Sequence, residues 1–209
     1  MKPCKICKTK FKPTSLKHVC CSYDCAIEHA KVLSIISAKK SQQRAEKQRK
    51  QANKQTRENL KSLGDYKKEL QILVNRIARK IDYGQPCISS GREWKPTDQG
   101  GHYYGSQAWS EIRFNLWNIH SQSVSDNMYK SGNPIGFRQG LTDRYGVEIM
   151  ALIDDLKVIY KGLVLCKSDI IEAIYKAKQL EKTIEEKKRT TEELISERLA
   201  ANLFIGIYI

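Results

Sequence analysis

Four cysteines in two close pairs, Cys4-x2-Cys7 and Cys21-x3-Cys25, constrain this chain more than any other feature. Each pair can present two thiolates to one tetrahedral ion, and the 13 residues between the pairs form a loop of finger length. A segment this short buries little core of its own, so folding and metal binding are expected to be one event. The reading is a zinc-binding module over residues 1–30 holding one structural Zn2+ per chain through Cys4, Cys7, Cys21 and Cys25. Cys20 can stand in for Cys21, and His29 for Cys25; Cys21 is chosen because Cys-Ser-Tyr-Asp-Cys resembles the second knuckle of many small zinc modules. The opening Met1-Lys2-Pro3-Cys4 is charged and carries no apolar signal core, and no apolar run is long enough to span a bilayer. An intracellular, cytoplasmic chain is therefore expected, with no membrane partner and with cysteines serving metal or staying reduced rather than forming disulfides.

Charge narrows the partners. Lys and Arg number 37 against 23 Asp and Glu in 209 residues, a formal net charge of +14, which favours a polyanion. The excess is concentrated between Ala38 and Lys61, a stretch free of Pro and Gly and rich in helix formers. This part of a basic helical region (residues 31–83) lacks an apolar face. Lys47, Arg49, Lys50, Lys54 and Arg57 are its expected contacts to DNA phosphates. After Gly64-Asp65 the spacing turns amphipathic, with Tyr66, Leu70, Leu73, Ile77 and Ile81 on one face. Residues 84–146 hold most of the glycines and all three tryptophans and read as short strands and turns. Helical periodicity returns over 147–209. Ser168-Asp169 is expected to cap a final helix from Ile170, the mixed charges of Lys176 to Arg198 to face solvent, and the apolar tail to pack or pair as a strand. The class is α+β and mainly helical.

Within residues 84–146, the order His102, Asn118, Asn127, at spacings of 16 and nine, is that of a ββα-metal (His-Me, HNH-like) finger. Such a finger needs a His at the end of its first strand to deprotonate water. It needs an Asn in the following turn to fix local geometry, and a polar residue on its helix to hold a divalent cation, Mg2+ or Mn2+, against the scissile phosphate. These roles fall to His102, Asn118 and Asn127 respectively. Arg113, Lys130 and Arg138 flank the finger and are expected to clamp the cleaved strand.

A wider set of motifs resembles the NinG (Rap) family of phage recombination endonucleases. The set comprises Asn75-Arg76-Ile77-Ala78-Arg79, Cys87-Ile88-Ser89-Ser90-Gly91, Gly101-His102-Tyr103, Ile112-Arg113-Phe114, Asn118-Ile119-His120-Ser121-Gln122-Ser123, Asp126-Asn127 and Ser131-Gly132-Asn133. With the N-terminal cysteines, the likeness covers roughly residues 1–150. It implies cleavage of branched recombination intermediates such as Holliday junctions and D-loops, in the host cytoplasm for a phage-encoded chain. It also implies recombination proteins as partners; symmetric cutting needs two active sites and so points to a homodimer. The family pattern places cysteines at positions 87, 90, 123 and 126, where this chain has Cys87, Ser90, Ser123 and Asp126. A second structural zinc is therefore not expected. The finger would instead be held by packing of Trp94, Trp109, Trp117 and Phe114. Many fingers carry Asp or His directly before the base; here that residue is Gly101, with Asp98 the nearest carboxylate. His120 is expected to orient the fold or to touch a phosphate. The competing reading is a non-catalytic, zinc-containing protein that binds branched DNA.

Overall fold

A computed structural model describes residues 1–208 and shows a mainly helical α+β chain that divides into two compact units, Met1–Leu60 and Lys61–Ile209. In the first unit, β1 (Lys2–Pro3) pairs antiparallel with β2 (Lys10–Phe11), and α1 runs from Tyr23 to Leu60. The 38 residues of α1 make a rod of about 57 Å at 1.5 Å per residue. Its residues are exposed or half-buried throughout, as a segment without an apolar stripe must be. No helix among the described residues is long and apolar enough to cross a membrane.

The second unit is organised by α2 (Leu63–Ile81). Ser62 and Asp65 start it with a capping box: Asp65 N donates to Ser62 Oγ at 3.2 Å, and Ser62 N donates to Asp65 Oδ2 at 2.9 Å. The stripe Tyr66, Leu70, Leu73, Ile77, Ile81 is buried, joined by Val74 and Ala78, against α5 (Lys167–Thr183) and α6 (Thr191–Ile205). A second cluster gathers Ile88, Trp117, Phe137, Leu141 and Ile153, with α3 (Pro134–Tyr145) and α4 (Glu148–Ile159) forming its helical side. Between the clusters lies an antiparallel pair, β3 (Gln99–His102) and β4 (Ile119–Gln122), in the register Gln99↔Gln122 and His102↔Ile119.

Three local readings of the sequence are corrected here. The segment 84–146 contains a full helix, α3, besides its strands and turns. Gly136 and Gly140 give that helix a bare edge, and a Cβ on either would sit about 2 Å from the carbonyl oxygens of Ser89 and Ile88. Helix α5 starts at Lys167, three residues before the expected Ile170, because Asp169 reaches back to accept from Cys166 N at 2.8 Å. It is also not the last helix, since α6 follows. The stretch from Lys176 to Arg198 is not wholly solvent-facing, for Arg189 and Arg198 are buried. Arg198 occupies the apolar stripe of α6 between Leu194 and Ala201. The tail packs: Tyr208 is buried, and its hydroxyl donates to Glu111 O at 2.9 Å and accepts from Phe114 N at 3.1 Å.

Arg198 is the hub of the unit. It donates to Asp82 Oδ1 at 2.7 Å, Ile119 O at 2.9 Å, His120 Nδ1 at 2.8 Å and Tyr145 Oη at 3.0 Å, and also to Leu116 O. Asp82, which caps the C-terminus of α2, accepts Ser121 N at 2.8 Å on its other oxygen. His120 completes the knot by donating Nε2–H to Trp117 O at 3.1 Å, which fixes it as the neutral tautomer. Burial, then the positive Arg198, push the pKa of His120 down to about 4, against the pull of Asp82. Asp82 is driven the other way: burial opposes its charge, but Arg198 and His120 outweigh it and hold the carboxyl far below its usual range.

Since the folded pKa of His120 lies below the unfolded value of 6.5, its contribution is fully present above about pH 6.5 and is lost as pH falls toward 4. All three tryptophans lie in this unit, so their fluorescence reports its unfolding. The expected outcome is a stability that drops across that window by up to about 1.4 kcal/mol per pH unit for this one group. In His120→Gln the drop should be shallower; equal slopes in the two proteins would remove His120 from the account.

Candidate functional site

The cysteine cluster is the first site. The metal-ligating atoms of Cys4, Cys7, Cys21 and Cys25 all lie within 4.8 Å of one another. Cys7 and Cys21 Sγ are 3.3 Å apart and Cys21 and Cys25 Sγ 3.8 Å, beside the roughly 3.8 Å edge of a tetrahedron of 2.3 Å zinc–sulfur bonds. The β1–β2 hairpin carries the first pair, while Cys25 sits in the first turn of α1. Burial opposes ionisation of Cys4, but backbone N–H groups of Ile6, Cys7 and Cys21 outweigh it and lower its pKa to about 5. Cys21 is pushed up to about 12, first by its contact with Cys7 and then by burial. Thiols this close ionise together only around a cation. The four-cysteine cluster is thus able to hold zinc. Cys20 is buried outside the cluster, with its thiol pushed up chiefly by burial, and His29 is not part of it.

The second site is the β3–β4 hairpin, which carries the residues expected of a finger. Strand alternation along β3 sends Gly100 and His102 toward α2, and Gln99 and Gly101 to the other face. His102 Nε2 lies 3.0 Å from both Arg113 O and Gln71 Nε2; because the carbonyl can only accept, the proton is assigned to Nε2 and the lone pair to Nδ1. Gln71 buttresses this arrangement: its Oε1 accepts Arg113 Nε at 3.1 Å and its Nε2 donates to Asn75 Oδ1 at 2.8 Å. Burial lowers the pKa of His102 to about 4, with Arg113 adding repulsion and its carbonyl opposing, so the ring is neutral near pH 7. Asn118 is fully buried and clamps the backbone beyond His102, accepting Tyr104 N at 2.7 Å and donating to Tyr104 O at 3.0 Å.

Asn127 stands apart from these two. It lies on a five-residue π turn, Ser125–Tyr129, rather than on a long helix, and donates to Gln99 Oε1 at 2.8 Å. Gln99 is three residues before His102 and on the alternate face, about 10 Å away along the strand. Gln122, quoted in the motif set without a role, proves to fill a specific space. A Cβ on Gly101 would lie 2.0 Å from Gln122 Oε1, so this amide fills the space that a side chain before His102 would need. Its nitrogen donates to Ser89 Oγ and Gly132 O, both at 2.6 Å, while Oε1 is buried without a hydrogen-bond donor. Asp98 is engaged elsewhere, by Arg92 and by Lys95 N at 3.0 Å. His120 belongs to the buried hub, out of reach of a phosphate. Lys130 pairs with Asp126 at 3.1 Å, while Arg138 stands on α3 and its charge acts on Asp154.

Positions 87, 90, 123 and 126 converge without four thiolates. Ser123 N donates to Cys87 Sγ at 3.1 Å, Ser123 Oγ donates to Asp126 Oδ2 at 2.8 Å, and Cys87 Sγ lies 3.8 Å from the same oxygen. Ser90 bonds to both Cys87 and Asp126. Hydrogen bonds therefore tie the base of the finger, an addition to the expected aromatic packing. Of those aromatics, Phe114 and Trp117 are buried, Trp94 is half-buried, and Trp109 is 40 % exposed.

The sequence profile described as "Bacteriophage Lambda NinG protein" matches residues 1–187. The NinG protein of Enterobacteria phage H19B is 32 % identical over 162 residues, covering 72 % of this chain and 79 % of that protein. That of Escherichia phage 933W is 33 % identical over 163 residues with the same coverage, and that of Escherichia phage lambda 39 % over 87 residues, covering 42 % of this chain and 43 % of that protein. No solved structure matches. The chain belongs to the NinG family of bacteriophage proteins.

Elemental analysis of purified protein is expected to find one zinc per chain; two, or none after gentle preparation, would refute the assignment of these two cysteine sets. Replacing Ser90, Ser123 and Asp126 together by Cys should raise the count to two.

Proposed function

We propose that this chain is a structure-specific DNA endonuclease that cuts branched recombination intermediates, four-way junctions and D-loops, by metal-assisted phosphodiester hydrolysis. The observation that carries the reading is His102, a neutral imidazole anchored through Nε2 so that Nδ1 is the acceptor. In the proposed step Nδ1 takes a proton from water, the hydroxide attacks phosphorus, and the bridging oxygen leaves with a proton from solvent. An arriving phosphate anion raises the His102 pKa and strengthens the base. Asn118 keeps the loop beyond His102 in place through both of its amide atoms. A divalent cation would be held by the Asn127 carbonyl oxygen, whose amide nitrogen is turned to Gln99, with DNA and water supplying the remaining ligands. When bound, Mg2+ or Mn2+ supplies charge stabilisation at the phosphate. One neutral oxygen from the chain implies weak binding.

Phosphate contact is assigned to α1 and to Arg113 and Lys130 beside the finger. Lys47, Lys50, Lys54 and Arg57 fall on one stripe of α1, with Arg49 beside it, and all are exposed. Two copies would supply the two cuts that a symmetric junction needs, and recombination proteins are the proposed partners in the host cytoplasm. A non-catalytic branched-DNA-binding role draws on one observation, the engagement of Asp98 by Arg92, which removes the nearest carboxylate from service.

A labelled four-way junction with Mg2+ or Mn2+ separates the two. His102→Ala should lose about 10²–10⁴-fold in cleavage while junction binding stays within a few-fold. Asn127→Ala should lose cleavage and regain part of it in excess Mn2+, and Asn118→Ala should act mainly on folding. Unchanged cutting by His102→Ala would leave the binding role alone standing. In a separate measurement, neutralising Lys47, Lys50, Lys54 and Arg57 should flatten the salt dependence of binding to any DNA; an unchanged slope would place the phosphate contacts elsewhere.

A further inference from the structure

Two clefts meet on the outer side of α2. One, of about 270 Å³, is lined by Asn75, Arg76, Arg79, Gln99, Gly100 and Asn127. The other, of about 330 Å³, is lined by the same two arginines with Lys80, Tyr83 and Trp94. Arg76 and Arg79 are thus a shared wall, and together the clefts form a groove from the finger to an aromatic pair. The Tyr83 and Trp94 rings lie 4.5 Å apart, tilted by 50°, and both are half-buried, so ring surface remains open to the groove. Arg79 braces the Trp94 loop by donating to Pro96 O at 2.8 Å. Arg76 is exposed, and its ion pair among the described residues is a loose 3.5 Å contact with Glu181, which like Glu186 lies at the groove. An exposed pair at that distance is weak and readily exchanged for a phosphate.

Guanidinium groups beside an open aromatic platform are what unpaired nucleotides recognise: the ring stacks on a base and the cations meet its backbone. A duplex keeps its bases inside the stack and cannot use the platform. We infer that this groove is a binding site for unpaired DNA, with one base stacked on Trp94 and Tyr83 and its phosphate on Arg76. It rests on the proposed action on branched DNA and deepens it, giving a physical reason for selecting a branch over a plain duplex. The near balance of arginine and lysine against Glu181 and Glu186 makes stacking, rather than bulk charge, the main contribution. The α1 stripe serves any DNA, whereas this groove would serve only bases out of the stack.

The test is a pair of equilibrium titrations of the full chain without added divalent cation, against a duplex bearing a short oligo-dT flap and against the same duplex without it. Wild type should prefer the flapped DNA. Trp94→Leu and Arg76→Glu should each reduce that preference by roughly tenfold, the loss from one stacking or phosphate contact, with duplex binding unchanged. Trp94→Phe, which keeps a stacking face, should retain most of it. Arg76 is exposed, so its variant tests the site even where Trp94→Leu perturbs the loop. His102→Ala should keep the full preference, so loss of cleavage and loss of the groove read out separately. No flap preference in wild type, or an unchanged preference in both Trp94→Leu and Arg76→Glu, would overturn the assignment.

Discussion

The architecture of the second unit depends on one buried charge pair, Asp82 with Arg198, both fully removed from solvent. Taking two ions out of water costs several kcal/mol each unless every donor and acceptor finds a partner. That condition dictates the surroundings. Arg198 reaches carbonyls at both ends of the Leu116–Ile119 turn, the Tyr145 hydroxyl and the His120 ring, while Asp82 also receives Ser121 N. Its partners lie on the cap of α2, the approach to β4 and the end of α3. The pair therefore fixes the strand opposite His102 relative to the helix against which His102 packs. A hydrophobic pair of similar volume could bury as much surface, but it could not select one register of the hairpin.

Arg189 repeats the device at the same helix end. Its guanidinium donates to Ile81 O and to Lys80 O, which also accepts Tyr83 N, in the last turn of α2, and to Lys187 O and Glu185 O. Both arginines lie beyond residue 187, where the family likeness ends. The C-terminal segment is thus part of what holds the β3–β4 hairpin, although it contributes no residue to the proposed chemistry.

What was legible in the sequence follows from range. Cys4, Cys7, Cys21 and Cys25 could be paired by spacing because a zinc knuckle is local, and the α2 stripe could be read because helical periodicity is local. The His102–Asn118–Asn127 order was visible as residue types, but strand alternation and register put Asn127 at the far end of β3 from His102. Asp82 and Arg198 are 116 residues apart, and no pattern of spacing joins them. A signal was nonetheless present: Leu194, Arg198, Ala201 and Ile205 occupy one helical stripe, and an arginine in such a stripe calls for a buried partner. Gln122 carried no such signal, because its significance arises only from the missing side chain of Gly101 across the strand pair.

Positions 87, 90, 123 and 126 show how hydrogen bonds join segments that a metal cross-link could otherwise hold. A zinc ion joins four thiolates by strong bonds whose formation requires proton release. Here Asp126 supplies the negative charge, Ser123 and Ser90 supply hydroxyl donors, and Cys87 supplies a polarisable acceptor for Ser123 N. Burial opposes ionisation of Asp126, but Ser123 and Lys130 outweigh it and keep its carboxyl below the usual range, so the knot stays charged and bonded near neutral pH. Such bonds are individually weaker than zinc–thiolate bonds, and the hairpin is correspondingly more dependent on the Asp82–Arg198 hub at its other end. The β3–β4 hairpin is thus tied at one end by this knot and at the other by the buried Arg198 guanidinium from α6. Among the described residues, the cysteine cluster of the first unit is the group able to hold a structural metal.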